Sequence, residues 1–327
     1  MAKKINTWQG LSVFIILALV LLAAIIVSLF VGSVALSPGD LLRSEILWQV
    51  RAPRVVLAAL VGLLLSISGV VLQGILRNPL ADPYVLGISA GGAIGAAISI
   101  ALGAQFVILG MSSVPVTAFI TSLAAVFVVY KLSQVSGKTS PETLILAGVA
   151  LAAFCAAILS LIIILSGNLQ AIYFWLLGSL SAATWSNVIT VVPYAIFGTV
   201  VAYFYSKELN ALLLGEEMAQ TLGVDVEKTR LVLIGAASLM TAAAVSVSGL
   251  IGFVGLIVPH FIRLLIGPNH KFLIPISALS GMLLMVVTDA LSRTVLAPTE
   301  IPIGIIMALC GAPFFLYLLR RRRVEGK

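Results

Sequence analysis

Apolar runs of about twenty residues, separated by short polar segments, repeat along the chain from residue 11 to residue 319. They lack the strict two-residue alternation of a strand in a membrane barrel, and their length suits helices. Crossing the hydrocarbon core takes about 20 apolar residues in helical form, and a helix satisfies its own backbone polar groups there. The pattern predicts spans near 11–36, 55–76, 84–107, 114–134, 144–166, 188–206, 231–247, 250–266, 273–292 and 303–319. Two are ambiguous: 84–107 is glycine-rich at its start, and 231–266 could be divided differently around Gly249. The first run, Leu11 to Leu36, holds 26 residues without a charge after Lys3 and Lys4. A signal peptide has an apolar core of about 7–15 residues, so an uncleaved helix is the better reading.

Composition agrees. Of 327 residues, 61% are hydrophobic and 9% charged, against roughly 25% charged in a soluble domain. The net charge of +7 does not point to nucleic acid, because the basic residues lie in short connections and at the two ends. No basic face is interleaved with aromatics. With the N-terminus in the cytoplasm, fifteen of the nineteen Lys and Arg fall on that side. Only Arg43, Arg51, Arg54 and Arg293 fall opposite. That asymmetry fits the positive-inside rule and places both termini in the cytoplasm. Cys155, Cys310, His260 and His270 stand apart in sequence and form no metal-ligand spacing or disulfide framework.

Several segments carry more than hydropathy. Residues 166–187 hold Tyr173, Phe174, Trp175 and Trp185 among small polar residues. They read either as an interfacial aromatic belt with a short surface helix or as the lining of an outer vestibule. Ser66-Ile67-Ser68-Gly69 and Ser246-Val247-Ser248-Gly249 hint at an internal repeat. Gly87, Gly91 and Gly95 lack the lysine of a phosphate loop and instead suit close helix packing. The cytoplasmic segment 207–230, KELNALLLGEEMAQTLGVDVEKTR, predicts two short helices ended by Gly215 and Gly223. The second starts with two acids at its positive dipole end. Two such helices at an angle suit docking into a groove on another protein. Asp82, Glu142, Asp289 and Glu300 all fall near span ends, which weakens the alternative of an ion-coupled secondary transporter. Asp289 and Arg293 are spaced for an i,i+4 ion pair. No paired acid and base or nucleophile set supports an intramembrane enzyme, so no catalytic residue is assigned.

The sequence resembles the FecCD-type permeases of importers for ferric siderophores, haem and cobalamin. The resemblance rests on Arg51-Ala52-Pro53-Arg54, Ser68-Gly69 with Gln73, Asn78-Pro79-Leu80-Ala81-Asp82-Pro83 and Leu86-Gly87. It continues in Leu146-Ala147-Gly148-Val149-Ala150, Gly252-Phe253-Val254-Gly255-Leu256 with Pro259-His260, Ile301-Pro302-Ile303-Gly304 and Gly311-Ala312-Pro313. It implies an all-α polytopic permease of about ten transmembrane helices, like a type II importer of the ATP-binding-cassette class, as a single domain over 1–327. It further implies a homodimer (or close heterodimer) in a bacterial or archaeal cytoplasmic membrane. Two cytoplasmic ATPase subunits and an extracytoplasmic binding protein would be its partners, and the chain itself would hold no cofactor. Arg51, Arg54 and Arg293 match the external arginines that receive glutamates of the binding protein; lipid headgroups and the Asp289 pair are the plainer account. Gly215, Glu216, Glu217, Met218, Ala219, Leu222 and Gly223 match the region seated in the ATPase cleft. Asn78 and Leu80 match a cytoplasmic gate, where Asn-Pro is also an ordinary helix stop.

Overall fold

The computed structural model describes residues 7–32, 39, 44–108, 110–135 and 138–325, so Lys3, Lys4, Arg43 and Lys327 of the charge partition lie outside the described residues. In chain order the helices are α1 (Thr7–Phe30), α2 (Ala52–Ile75), α3 (Ile88–Ala101), α4 (Ser113–Ser133), α5 (Pro141–Ser166) and α6 (Leu169–Leu176). They continue as α7 (Trp185–Phe204), α8 (Ser206–Leu212), α9 (Glu216–Thr221), α10 (Val226–Ser248), α11 (Val254–Ile266), α12 (His270–Thr294) and α13 (Ile303–Glu325). A π-helical turn, Ile46–Arg51, leads into α2. Two minimal antiparallel hairpins, 107–112 and 134–139, are the only strands among the described residues.

Among the described residues, seven helices are long and apolar enough to cross a membrane: α1, α2 with its leading turn, α4, α5, α7, α10 and α12. Shorter apolar helices, 88–101, 254–266 and 303–316, stand at the other three expected spans. The 14 residues of α3 and 13 of α11 rise only about 20 Å each, at 1.5 Å per residue. Helix α3 begins late because Pro83–Leu86 forms a 3₁₀ turn and Gly87 takes φ +77°. Between α10 and α11 the chain breaks over Gly249 to Phe253, at φ +68° and +69°.

Helix α2 is the centre of the bundle. Its residues are buried nearly throughout, and α12, α10, α11 and α7 pack around it. Glycine makes that packing possible. A Cβ on Gly62 would lie 2.1 Å from the Gly281 carbonyl oxygen of α12, and one on Gly69 would lie 1.9 Å from that of Gly255 in α11. The spacing at Gly91 and Gly95 works as expected. Added methyls there would lie 2.5 Å from the Thr121 and Thr117 carbonyl oxygens of α4. Outside the bundle, Leu19, Leu22, Ile164, Leu165 and Ile189 are exposed. Water would penalise that apolar surface, and hydrocarbon does not.

Candidate functional site

Three polar assemblies stand out in this apolar bundle. At one end of α2, the structure gathers the expected arginines. The Nη1 of Arg51 donates to the carbonyls of Leu29 and Phe30 at 3.1 and 2.9 Å, where α1 ends with unpaired acceptors. Arg293 serves the same helix end, reaching the Val31 carbonyl at 2.8 Å and the Ser28 hydroxyl at 2.7 Å. Asp289 lies between two guanidiniums, 2.8 Å from Nε of Arg54 and 3.1 Å from Nε of Arg293. Nη1 of Arg54 also meets both oxygens of Glu300 at 2.9 Å. The i,i+4 pair expected of Asp289 and Arg293 is therefore present, with Arg54 added. The three arginines are only 3–5% exposed, so they are not an open basic surface. Internal acceptors occupy them, because the end of α1, Asp289 and Glu300 converge there.

Beside this cluster opens a cavity of about 670 Å³. Phe174, Trp175, Ser179 and Thr184 line it, with Ser246 and Ser248 from the end of α10. Glu300 stands at its wall as well. Of residues 166–187, Phe174 and Trp175 thus line this cavity, and Tyr173 and Phe174 are each 56% exposed, an arrangement that fits both readings of the segment.

At the other end of α2 lies the turn with Asn78 and Leu80. The Asn78 Oδ1 accepts from the Leu80 N–H at 3.0 Å, so this side chain builds the turn. Gln73 ties the turn to α11: its amide donates to the carbonyls of Ala81, Gly255 and Leu256, and its oxygen accepts from Arg263 at 2.7 Å. The Tyr84 hydroxyl donates to the Ile251 carbonyl and accepts from the Ile251 N–H, both at 3.0 Å. The turn is thereby clamped to the break between α10 and α11. The Asp82 carboxylate accepts from the Tyr84 N–H at 2.9 Å. Burial raises its pKa to about 6, against the lowering effect of hydrogen bonds from the Tyr84 and Phe253 backbones.

The third assembly is the knuckle formed by α8 and α9. Both predicted helices are present, and Gly223 ends the second as read; the first ends at Leu212 on a right-handed cap, Leu213, and Gly215 stands instead at the start of α9. Gly215 has φ +106°; Gly223, at φ +84°, closes α9 with Gly223 N–H on the Gln220 carbonyl and Val224 N–H on that of Ala219. That pair of bonds is the Schellman arrangement. The knuckle has its own small core of Ala211, Leu212, Ala219 and Val226. Ala219 is wholly buried in it, which corrects its expected place in a partner's cleft: the small side chain is needed by its own fold. Met218 and Leu222 are 51% and 60% exposed. Glu216 also turns inward. Its Oε1 lies 2.7 Å from Nη2 of Arg230. On the α8 side, the Asn210 Oδ1 lies 2.8 Å from Nδ1 of buried His270 and accepts from its backbone N–H at 2.9 Å.

Sequence reading missed Arg230, Arg77, Tyr84 and the Asn210–His270 pair. Arg230 has the only detectable signal, as the charge that directly adjoins the start of the apolar run 231–247.

The FecCD transport family model matches residues 19–321. The chain is 47% identical over 282 residues to the cobalamin import system permease protein BtuC of Halobacterium salinarum, covering 86% of this chain and 75% of that one. To the hemin transport system permease protein HmuU of Yersinia pestis it is 38% identical over 322 residues, covering 95% and 96%. A solved inward-facing structure of a metal-chelate type ABC transporter superposes with a TM-score of 0.84 at 33% identity, covering 95% of this chain and 99% of that one.

Proposed function

This chain belongs to the FecCD transport family, and from that premise we propose that it moves a bulky metal chelate, of the ferric siderophore, haem or cobalamin kind, inward by alternating access. It is a multi-pass permease subunit of an ATP-binding-cassette importer. In this reading the three shorter apolar helices cross together with the seven long ones, giving ten spans over a single domain, 1–327. Both termini are cytoplasmic, which the fifteen-to-four division of Lys and Arg supports. Two copies of the chain enclose the path, and two ATPase subunits supply the energy.

The observation that carries this reading is that the functional groups sit at opposite ends of the bundle. The cavity of about 670 Å³, with hydroxyls and aromatic faces, adjoins the arginine cluster at one end of α2. Such a lining offers a chelate many weak contacts, leaving selectivity largely to the binding protein. Glutamates of that protein dock on Arg51, Arg54 and Arg293 by displacing Glu300, the only partly exposed member of the cluster's ion pairs. Arg54 supports this, because its buried Nη2 has no partner among the described residues. At the far end, the ATPase cleft receives the knuckle of segment 207–230 through Met218, Leu222, Glu217 and the bends at Gly215 and Gly223. Asn78 and Leu80 close the path near it.

Uptake into proteoliposomes tests the proposal. With the ATPase and binding protein present, uptake should need ATP and survive a protonophore; abolition by the protonophore would favour an ion-coupled carrier. The ligand that stays bound to the purified binding protein identifies the cargo.

A further inference from the structure

Arg77 occupies a backbone position that chemistry normally reserves for glycine. It follows Leu76, the C-cap of α2, with φ +47°. Its N–H bonds the Gly74 carbonyl at 3.3 Å, and the Asn78 N–H bonds that of Gln73 at 3.2 Å. This is the same Schellman closure that Gly223 makes at the end of α9. A side chain in the left-handed region costs about 1–2 kcal/mol, so local stability alone favours glycine here. The arginine side chain must do something that glycine cannot.

What it does is reach the knuckle. Nη2 of Arg77 lies 3.5 Å from Oε1 of Glu216, the same oxygen that Arg230 holds at 2.7 Å. The Arg230 side chain is 2% exposed; it also takes Glu227 at 2.8 Å and donates to the Thr139 carbonyl. One carboxylate oxygen thus joins a fixed buried post to the turn that carries Asn78 and Leu80. Arg77 and Glu216 are 41% and 35% exposed, so water screens their contact and it contributes little to stability. Both line a depression of about 600 Å³ with Gly215, Glu217, Met218 and Thr221. A protein surface seated over that depression would expel the water and strengthen the attraction several-fold.

We propose that Glu216 and Arg77 form the link by which ATPase docking is felt at the gate: the partner dehydrates the pair, Arg230 fixes the carboxylate, and Arg77 draws the 77–82 turn with the knuckle. Arg77 is a positioning residue in this scheme and touches no cargo. The inference rests on the reading that the knuckle is the ATPase docking site.

The experiment uses the full complex in nanodiscs, with Cys155→Ala, Cys310→Ala and a spin label at Leu80→Cys, read with and without ATP plus vanadate. Arg77→Gly should keep its ATPase and be at least as thermostable, yet lose most of the ATP-dependent spectral change at position 80, by five-fold or more. Arg77→Lys should retain that change. A purely structural cap would behave in the opposite way, since glycine relieves the strain. Full spectral response in Arg77→Gly would overturn the link, and so would an unsubstituted chain that holds its ATPase yet shows no response. Failure of the ATPase to co-purify with the unsubstituted chain would instead sink the docking reading beneath it.

Discussion

Asp289→Asn is the sharpest test of the arginine cluster. The carboxylate is fully buried, 2.8 Å from one guanidinium and 3.1 Å from another. Asparagine preserves shape and one oxygen but removes the charge, leaving two buried cations short of a counter-ion. Breaking a buried pair on one side costs about 3–5 kcal/mol. Here the lower end applies, because Arg54 keeps Glu300 and Arg293 keeps Ser28 and Val31. Glu300→Gln is the matched control. Its side chain is 31% exposed and Arg54 would keep Asp289, so about 1 kcal/mol is expected. For a chain this long, 1 kcal/mol moves Tm by roughly 2 °C. Thermal unfolding in one detergent should therefore show drops of about 6 °C and about 2 °C. Equal drops would refute the assignment of Asp289 as the counter-ion of the cluster. A second readout separates stability from docking: Glu300→Gln should tighten binding-protein affinity by a few-fold, whereas Arg54→Ala should weaken it.

Other outcomes follow from the same structure. Met218→Asp with Leu222→Asp should abolish co-purification of the ATPase without lowering Tm, because both side chains are more than half exposed. Gly62→Leu should prevent α2 from meeting α12 and cost upwards of 3 kcal/mol, read as loss of monodisperse protein in size-exclusion chromatography; Gly103→Leu, with open space around it, should stay monodisperse at a cost near that of a strained surface turn. Asp82 gives a pH signature. Its folded pKa of about 6 is raised from 3.8, so the folded state holds the proton more tightly and the penalty of ionisation, at most about 3 kcal/mol, grows as pH rises from 4 to 6. Asp82→Asn should accordingly gain in Tm over the parent at pH 7.5, with the gain shrinking towards pH 4.5. A constant offset would show that Asp82 does not titrate in this window.

The apolar pattern made the helices legible because hydrocarbon imposes length and sequence continuity on a span. Positions 91 and 95 were legible for a similar reason: a four-residue glycine period has little use on a helix beyond close approach. The knuckle could be read from Gly223, since glycine marks the left-handed end of a short helix, whereas Gly215 marks the bend between the two helices and caps the start of α9. Helix α11 was harder. Its 13 residues follow a break that depends on Tyr84 and Gln73, 182 residues before Gly255 in the case of one bond, and no local pattern carries that information. The burial of Arg51, Arg54 and Arg293 was hidden for the same reason, since their acceptors come from α1, α12 and the segment before α13. Ala219 shows the limit of transferring a contact by resemblance: the helix was right, but the face depended on Ala211 and Val226.

Helix α2 explains how groups so far apart can act together. Its 24 residues, about 36 Å at 1.5 Å per residue, run from Arg54 to the cap at Arg77, and its only proline sits in the first turn. An unbroken helix bends little, so a shift of Arg54 towards a new carboxylate must be taken up along the whole rod or at its packing surfaces. Those surfaces are where Gly62 meets Gly281 and Gly69 meets Gly255. Backbone there meets backbone, with only the small Ser66 and Pro83 and the flexible Met285 side chains beside it, and sliding meets fewer steric steps than between leucine ridges. The clamp at the far end, from Gln73 to Gly255 and Leu256, converts any such slide into movement of the break before α11. The arginine cluster at one end and the 77–82 turn at the other are therefore joined by one rigid element, and the pair Arg77–Glu216 stands where that element meets the knuckle.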